Sequence, residues 1–243
     1  LSTASIPFYL VPLALIAMII ILTPKGIPSR WLGVIILLPI AFVRMDKPRH
    51  GEITMTLLDV GQGLSAVIET KQHLLVFDTG AKFSSLYNMG DAVIIPFLKS
   101  KGIDQVDTLL ISHGDNDHKG GAQTLLENMD VKTLMTSVPE ELLKYDPVSC
   151  YAGFSWQWDG INFEILSPSQ NFKGSENNKS CVLKVTSKHG SILLTGDIEK
   201  NAEEWLINNV ANKLQSNVLI APHHGSKTSS SFAFLKQVKP EII

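Results

Sequence analysis

The stretch LLISHGDNDHKGGAQTL runs from Leu109 to Leu125 and joins an apolar, strand-like run to a helix-like one. Between these runs, two histidines and two aspartates stand within six residues, one residue before a pair of glycines. Carboxylates crowded together repel one another and raise each other's pKa unless a positive charge lies among them. A pair of divalent metal ions would supply that charge, so the stretch predicts a metal site at the end of a strand.

Three further apolar runs each end in a side chain that can bind a metal ion. VFDTG delivers Asp78, LLTGD delivers Asp197, and VLIAPHHG delivers His223 and His224. Any one of these segments alone would be interpreted as a turn or as exposed surface. Strand ends that meet at one edge of a sheet bring distant residues together, so their recurrence predicts one shared site.

The spacing inside the first cluster fits two ions. His113 and Asp115 can point to one ion, while Asp117 and His118 reach the other. Asp197 would bridge both ions, because a carboxylate has two oxygens to share. Two divalent ions about 3.5–4 Å apart can hold both the attacking and the leaving oxygen of a displacement, which indicates hydrolytic chemistry.

The first 50 residues contain two apolar runs, Ile6–Leu22 and Trp31–Val43, joined by TPKGIPSR. The first is uncharged over about 17 residues, the lower limit for a membrane-spanning helix, and the second is shorter and contains Pro39. Together they predict a helical hairpin embedded in a membrane, with a buried core helix as the alternative. A signal peptide is disfavoured, because no basic stretch precedes the first run and no small-residue cleavage site follows it.

Charge divides the chain at the same place. Residues 1–50 carry five basic side chains and one acid, a net charge of +4. Residues 51–243 carry 16 lysines, no arginine and 22 acids, a net charge of −6. Basic residues flank both ends of the second apolar run, so the positive-inside rule leaves its orientation open. An acidic domain without arginine is a poor general binder of nucleic acid, which argues against a polyanionic substrate.

Strand-like and helix-like runs alternate from Gly51 onward, and short runs around GQG predict antiparallel pairing. Asp159-Gly160 and Lys188-His189-Gly190 predict two hairpin turns. Apolar spacing and glycine stops predict helices within residues 89–103, 120–129, 198–210 and 231–238. We therefore predict an α/β (α+β) fold in which two packed sheets carry helices on their outer faces. Cys150 and Cys181 lack metal-type spacing, and two free thiols are favoured.

The motifs resemble those of a known family. SHGDNDHKGG, LLTGD and APHHGS follow the motif order of the metallo-β-lactamase superfamily, although Asp115 replaces the second histidine of the usual His-x-His-x-Asp-His. LLDVGQG, FDTG and HHGSKTSSS add a resemblance to ComEC-type DNA internalisation proteins of natural competence. The resemblance implies a four-layer αββα sandwich over residues 51–243, truncated at its C-terminus. Residues 1–50 would be membrane-embedded helical segments that end a polytopic region.

The resemblance also implies a site with two divalent ions, Mn²⁺ or Zn²⁺. Asp78 would orient a ligand histidine, and Asp117, Asp78 and Lys227 would carry the catalysis. A family histidine is absent before Asp197, where SENNKSCVL offers oxygen donors that favour Mn²⁺ or Mg²⁺. His224 is favoured over His223 because it directly precedes a glycine. The implied metal ligands are His113, Asp115, Asp117, His118, Asp197 and His224, and the implied substrate contacts are Ser226, Lys227, Ser229, Asn178 and Ser180.

The function implied by the resemblance is a metal-dependent phosphodiesterase or nuclease of a membrane DNA-uptake channel. It would degrade the DNA strand that is not imported. Its expected partners are single-stranded DNA, membrane lipid and other components of the uptake machinery. The expected location is the inner or plasma membrane, with the soluble domain extracytoplasmic. Two alternatives remain: a hydrolase of a small phosphodiester or ester, and a non-catalytic docking module of the channel.

Overall fold

A computed structural model of the chain describes residues 10–24, 30–41 and 47–243. The chain divides into two compact units, one of residues 47–96 with 105–243 and the other of residues 1–46 with 97–104. All the strands described below lie in the larger unit. The predicted boundary between membrane-embedded helical segments in residues 1–50 and a separate domain in residues 51–243 stays a prediction.

The smaller unit contains two apolar helices that pack against each other, α1 (Val11–Ile21) and α2 (Arg30–Ala41). Gly33 permits their close approach, because a Cβ there would lie 2.7 Å from the Ala17 carbonyl oxygen. No helix in the described ranges combines the length and the apolar run that crossing a bilayer requires. The predicted membrane hairpin is therefore not shown, and residues 6–9, 25–29 and 42–46 of its two runs and flanks lie outside the described residues.

The larger unit contains two β-sheets with helices beside them. Its helices are α3 (Ile95–Ser100, in part), α4 (Asn116–Lys119), α5 (Ala122–Asn128), α6 (Lys200–Leu214) and α7 (Phe232–Val238). Its strands, within the described residues, are β1 (Thr54–Leu57), β2 (Ala66–Glu69), β3 (Leu74–Phe77), β4 (Gln105–Ile111), β5 (Asp130–Thr136), β6 (Val148–Ser149), β7 (Ser155–Trp158), β8 (Ile161–Ser167), β9 (Val182–Ser187), β10 (Gly190–Leu194) and β11 (Val218–Leu219).

The first sheet has the order β1-β2-β3-β4-β5-β6, and the second has the order β11-β10-β9-β8-β7. The pairs β1–β2 and β2–β3 are antiparallel, whereas β3, β4, β5 and β6 run parallel. In the second sheet only β10–β11 is parallel. The predicted antiparallel start and the turns at Asp159-Gly160 and Lys188-His189-Gly190 are confirmed.

Apolar side chains fill the space between the sheets and the space under the helices. Leu75, Phe77 and Leu110 of the first sheet meet Phe163 and Leu183 of the second in one fully buried cluster. A second cluster joins the outer face of the second sheet to α6 and α7. Since α5 packs on β5 and α6 on β8, the predicted order of helix, sheet, sheet and helix is confirmed.

The two predicted helices at either side of the histidine cluster form, with local differences. The run from Met89 begins as a π-helical turn, Gly90–Ile94, which continues into α3. Asp115 precedes the single helical turn α4, which contains Asp117 and His118. That turn matters for the site, because it places successive side chains of the cluster in different directions.

Cys150 and Cys181 are bonded in a disulfide, so the expectation of free thiols is wrong. Cys150 follows β6 of the first sheet and Cys181 precedes β9 of the second, and both are fully buried. The two residues are 31 positions apart, and their spacing carries no sign of the pairing. Only the packing of one sheet on the other brings them together. A cross-link over a loop of this size stabilises a domain by about 2–4 kcal/mol.

Asp159 ties the two sheets together at the end away from the histidine cluster. Its carboxylate accepts hydrogen bonds from Thr70 Oγ1 and the Gln72 amide, both at 2.7 Å, and from His73 Nδ1 at 3.2 Å. The His73 ring stacks on Trp158, the residue before the turn, with centroids 4.9 Å apart. Burial raises the pKa of Asp159, but these hydrogen bonds outweigh it and hold the pKa below its ordinary value.

Replacing Asp159 by asparagine is expected to lower the free energy of unfolding by about 1–2 kcal/mol at neutral pH, because charge-assisted hydrogen bonds are lost. Since the folded pKa is depressed, the contribution is present above the unfolded pKa and disappears as pH falls through the folded pKa. Urea unfolding from about pH 7 to about pH 2 should show the two proteins converging as the pH falls below about 3.9. A constant difference across that range would contradict this assignment.

Candidate metal centre

Four side chains from three separate segments converge at one edge of the larger unit. One ligand atom each from Asp117, His118, Asp197 and His224 lies within 4.8 Å of all the others. His118 Nε2 lies 3.0 Å from Asp197 Oδ1 and 3.2 Å from His224 Nε2, and His224 Nε2 lies 3.3 Å from Asp117 Oδ2. Two carboxylates and two imidazoles in this arrangement form a suitable donor set for a divalent cation.

The strand ends position this cluster as the sequence predicts. Asp117 and His118 lie in α4, just after β4, and Asp197 follows β10. His224 follows β11, in a turn where His223 and His224 both adopt left-handed backbone conformations, with φ of 49° and 52°. Such a conformation is uncommon for a residue other than glycine, and it turns His224 into the cluster.

His223 points elsewhere, although it is the neighbour of His224. Its Nδ1 lies 3.1 Å from Thr228 Oγ1 and 3.6 Å from Glu199 Oε1. Its Nε2 is 3.8 Å from Asp197 Oδ2, beyond hydrogen-bonding distance. The structure therefore places His224, and not His223, among the four converging side chains.

Asp78 lies behind the cluster and is fully buried. His118 Nδ1 lies 2.7 Å from Asp78 Oδ2, and since a carboxylate only accepts, the imidazole donates through Nδ1. The neighbouring Thr79 binds the His118 carbonyl with both its amide and its hydroxyl, at 2.7 and 2.9 Å. The DTG segment thus fixes the ring and the backbone of His118, and Nε2 is directed at the cluster. This is the arrangement that orients histidine ligands in metal sites.

Ser112 determines the protonation of His113. The Ser112 amide and hydroxyl donate to Asp78 at 2.6 and 2.7 Å. Because its one proton is committed to Asp78, the hydroxyl accepts from His113 Nδ1, which lies 3.0 Å away. His113 Nε2 then carries a lone pair. Burial first, and His118 second, lower the pKa of His113 and keep it neutral.

The Nε2 atom of His113 is buried and has no hydrogen-bonding partner among the described residues. A carboxylate oxygen, Asp115 Oδ2, lies 3.5 Å from it. A buried, unprotonated nitrogen without a partner is costly in a folded protein unless a ligand completes it. These residues therefore fit a metal ion, with His113 and Asp115 as donors beside the four-residue cluster.

The carboxylates of the cluster raise the pKa of His118 and His224, so these rings hold protons where a cation would bind. Burial lowers the pKa of His118, but the carboxylates of Asp78 and Asp197 outweigh it and raise the pKa to about 10. A hydrogen bond from His224 lowers the pKa of Asp117 to about 2, and the same bond raises the pKa of His224. A divalent ion would take the place of these protons and neutralise the same carboxylates.

Residues 58–242, which include every residue of this cluster, match the metallo-beta-lactamase superfamily. The chain belongs to this superfamily. Its sandwich of two sheets with helices outside is the superfamily's fold, as the motifs predicted. A solved metallo-β-lactamase from Cronobacter sakazakii is similar in structure, with a TM-score of 0.51 and 14% identity over 79% of this chain and 91% of that chain.

Two curated relatives of this metallo-β-lactamase-fold chain are more similar in sequence. Competence protein ComA of Neisseria gonorrhoeae is 36% identical over 99% of this chain and 33% of that protein. Recombination protein 2 of Haemophilus influenzae is 36% identical over 83% of this chain and 24% of that protein. The chain thus spans a third or less of the length of these relatives. The first relative agrees with the resemblance to ComEC-type competence proteins.

Asn178 and Ser180, which were expected to replace the absent family histidine, form hydrogen bonds within the fold. Asn178 accepts from the amides of Glu199 and Ala202 at 3.0 and 3.1 Å and donates to Glu199 Oε2, so it caps the start of α6. Ser180 Oγ accepts from the Asp197 amide at 3.2 Å. Asn178 therefore lies outside the four-residue cluster, and Ser180 acts on the position of Asp197.

The predicted substrate contacts lie on the loop that follows His224. Ser229 is buried, and its hydroxyl donates to the Pro222 carbonyl at 2.7 Å, so it holds this loop rather than facing solvent. Ser226 Oγ lies 3.2 Å from Thr228 Oγ1 at the surface. Lys227 is exposed, and it forms no ion pair within the described part of the chain. Of the three, Lys227 is best placed to meet an anionic substrate.

Three residues with a clear place in the site were missed from the sequence. Besides Ser112, they are Gly63 and Glu203. A Cβ at Gly63, where φ is 128°, would lie 2.2 Å from the Asp117 carbonyl oxygen, so the GQG turn packs directly on α4. Glu203 of α6 is fully buried and accepts from the amides of Ser230 and Ser231, which anchors the end of the His224 loop. The GQG motif indicated Gly63, whereas nothing in the sequence distinguishes Glu203 from the other acidic residues of a helix.

Proposed function

We propose that this chain is a metal-dependent phosphodiesterase that cleaves single-stranded DNA as the hydrolytic part of a membrane DNA-uptake channel. The convergence of Asp117, His118, Asp197 and His224, beside the unpartnered Nε2 of His113, carries the proposal. The superfamily fold supports a metal-dependent hydrolase. The name of the competence relative supports a role in DNA uptake.

Two ions of unequal affinity fit the residues present. Asp117, His118 and His224 would hold one ion, His113 and Asp115 a second, and Asp197 would lie between them. When bound, such ions lower the pKa of water and stabilise the negative charge that develops on a phosphate. The second set has a single imidazole, and its oxygen-rich character favours Mn²⁺ over Zn²⁺ there.

The chain's own residues orient and complete the site. Asp78 fixes the tautomer of His118, Ser112 fixes that of His113, and Ser180 steadies Asp197. Lys227 would donate to a phosphate oxygen at the rim and stabilise its developing charge. Two bound ions would add about +4 to a domain of net −6, so the site itself becomes attractive to a phosphodiester.

Metal counting tests the proposed centre. Protein purified with Mn²⁺ or Zn²⁺ and then dialysed is expected to retain about one ion per chain and to bind a second more weakly. Elemental analysis and calorimetric titration measure both. Fewer than one ion per chain would contradict the centre and favour the docking module, whose supporting observation is the absent family histidine. Two ions retained equally would contradict the unequal affinities.

A substrate panel separates DNA from smaller substrates. Cleavage of single-stranded oligonucleotides is expected to exceed hydrolysis of chromogenic phosphodiesters and esters when the two are compared at equal concentration. The reverse order would favour a hydrolase of a small phosphodiester or ester. Activity of the larger relatives as whole proteins does not transfer to this chain, which spans a third or less of them.

The disulfide supports the proposed location. Disulfides persist in the oxidising compartments outside the cytoplasm and are rare inside it. The buried Cys150–Cys181 bond is therefore consistent with a domain that faces outward from the inner or plasma membrane. There it would degrade the strand that is not imported, next to membrane lipid and the other components of the uptake machinery.

A further inference from the structure

Residues 82–88 form a small hairpin with an apolar tip, which we name the aromatic hairpin. Lys82 pairs with Asn88, and the amides of Phe83 and Ser84 both donate to the Tyr87 carbonyl, at 2.9 and 3.1 Å. Three large apolar side chains at its tip face solvent: Phe83 is 61% exposed, Leu86 90% and Tyr87 51%. Backbone hydrogen bonds therefore hold the hairpin together, although its tip buries little apolar surface.

The aromatic hairpin is anchored to the turn that carries the metal cluster. The Lys82 amide donates to Asn116 Oδ1 at 3.2 Å, and Asn116 Nδ2 donates to the Lys82 carbonyl at 3.0 Å. Asn116 is the residue before Asp117. A Cβ at Gly120, which ends α4, would lie 2.1 Å from the Lys82 nitrogen, so the contact is close along the whole turn. The hairpin is thus held at the rim of the candidate centre.

The cluster opens to solvent near this hairpin. The side chains of Asp115 and Asp117 are 47% and 26% exposed, whereas His113 and His118 are fully buried on the inner side. His224 of the same cluster is 33% exposed, so the opening is bounded by α4, which the hairpin borders, and by the loop that carries His224. Contiguous exposed apolar side chains beside a polar opening mark a binding surface more often than chance exposure.

The net negative charge of residues 51–243 indicates which kind of substrate contact this surface can make. Residues 51–243 have 16 lysines against 22 acids, so attraction to phosphates is weak over most of the domain. Binding of DNA must then draw on contacts with bases. Phe83 and Tyr87, whose ring centroids are 5.7 Å apart, offer two aromatic faces, and Lys82 at the base of the hairpin forms no ion pair within the described residues.

We propose that the aromatic hairpin is a base-stacking platform that holds single-stranded DNA at the mouth of the metal centre. The inference rests on the proposed function and adds the element that selects the single strand. Bases of a duplex are already stacked and cannot lie on Phe83 and Tyr87, whereas unpaired bases can. Stacking on an aromatic side chain contributes about 1–3 kcal/mol per base.

The test is a double variant, Phe83→Ala with Tyr87→Ala, in the whole chain. Its affinity for a fluorescently labelled oligothymidylate, measured by anisotropy with Ca²⁺ present, is expected to fall about 10–100-fold. Hydrolysis of a small chromogenic phosphodiester should be unchanged. The slope of log affinity against log salt should stay shallow, about −1 to −2 in both proteins, because few phosphates are contacted.

Two matched controls separate stacking from general effects. Phe83→Tyr with Tyr87→Phe keeps both rings and should keep the affinity for the oligothymidylate. Phe154→Ala removes an exposed phenyl group before the edge strand β7 and should change nothing. Circular dichroism of each variant checks that the fold is retained.

Each outcome decides for or against the platform. Equal affinity in the double alanine variant, or an equal loss for duplex DNA, would overturn it. Loss of binding to phosphatidylglycerol vesicles with DNA binding intact would assign the hairpin to a lipid surface and also overturn it. If the unaltered chain binds single strands through the hairpin but cleaves none, the proposed hydrolysis fails while the platform stands.

Discussion

Replacing Asp117 by alanine is expected to abolish metal-dependent cleavage of single-stranded DNA. Asp117 provides one of the four converging ligand atoms, and its Oδ2 lies 3.3 Å from His224 Nε2. Removing a group that only orients a metal ligand costs about 10–100-fold in affinity or activity. Losing a direct ligand should cost more than about 100-fold by the same reasoning. Cleavage of a labelled oligonucleotide with Mn²⁺ or Zn²⁺ in excess, together with metal content, measures the effect.

The matched control for this variant is Glu204→Gln, which neutralises an exposed acid on α6. It should retain both metal and cleavage, so that a loss in Asp117→Ala cannot be attributed to net charge. Unchanged cleavage by the Asp117 variant would refute the assignment of the cluster as the hydrolytic centre. A variant that keeps the metal but loses cleavage would assign Asp117 to the reaction and not to metal binding.

Replacing Asp78 by asparagine is expected to weaken metal binding about 10–100-fold, although Asp78 itself touches no solvent. The Asp78 carboxylate accepts three hydrogen bonds, from the Ser112 amide, the Ser112 hydroxyl and His118 Nδ1. An amide of the same shape presents an N–H to one of these donors, so at least one bond is lost. His118 then loses the partner that fixes its tautomer and its orientation.

Calorimetric titration with the metal ion measures the affinity of the Asp78 variant, and urea unfolding measures its stability. The metal-free variant should also be less stable by roughly 1–3 kcal/mol, because buried donors are left unpaired. Asp130→Asn, at an exposed position on the same sheet, is the control and should change neither quantity beyond about 0.5 kcal/mol. Unaltered metal affinity in Asp78→Asn would mean that the rest of the pocket orients His118 without this carboxylate.

The Asp117 variant tests a proposed metal ligand, and the Asp78 variant tests the group that orients another ligand. In the proposed centre, Asp117 binds the ion through its own oxygen, whereas Asp78 acts through the ring of His118. Metal affinity should therefore fall in both, but excess metal should restore cleavage in the Asp78 variant far more than in the Asp117 variant. This difference can be measured on one preparation of each protein by varying the metal concentration.

Local patterns predicted much of the fold. Hairpins formed at Asp159-Gly160 and at Lys188-His189-Gly190, where the turn residues accept the required backbone angles. Helices formed where apolar spacing and glycine stops predicted them. Ligand side chains directly after buried strands also came together as expected, since the ends of neighbouring strands share an edge. The hairpins and helices depend on contacts within a few residues along the chain, whereas the ligands share a strand edge although His118 and His224 lie 106 positions apart.

Other features depended on contacts between distant segments and could not be predicted. Cys150 and Cys181 become partners only when one sheet packs on the other. The resemblance favoured His224 over His223, but the local sequence does not show the two consecutive left-handed residues that bring His224 to the cluster and leave His223 beside Thr228 and Glu199. Asn178, expected near the substrate, caps α6 because that helix starts beside it.

The sequence by itself therefore determined which residues can bind a metal and which strands and turns present them. The tertiary structure decided which of these side chains face the cluster, and through which nitrogen each imidazole does so. The physical reason is that donor chemistry and turn preference belong to single residues and their neighbours. Ring orientation and protonation are set by hydrogen bonds such as that between Asp78 and His118, whose partners lie 40 positions apart.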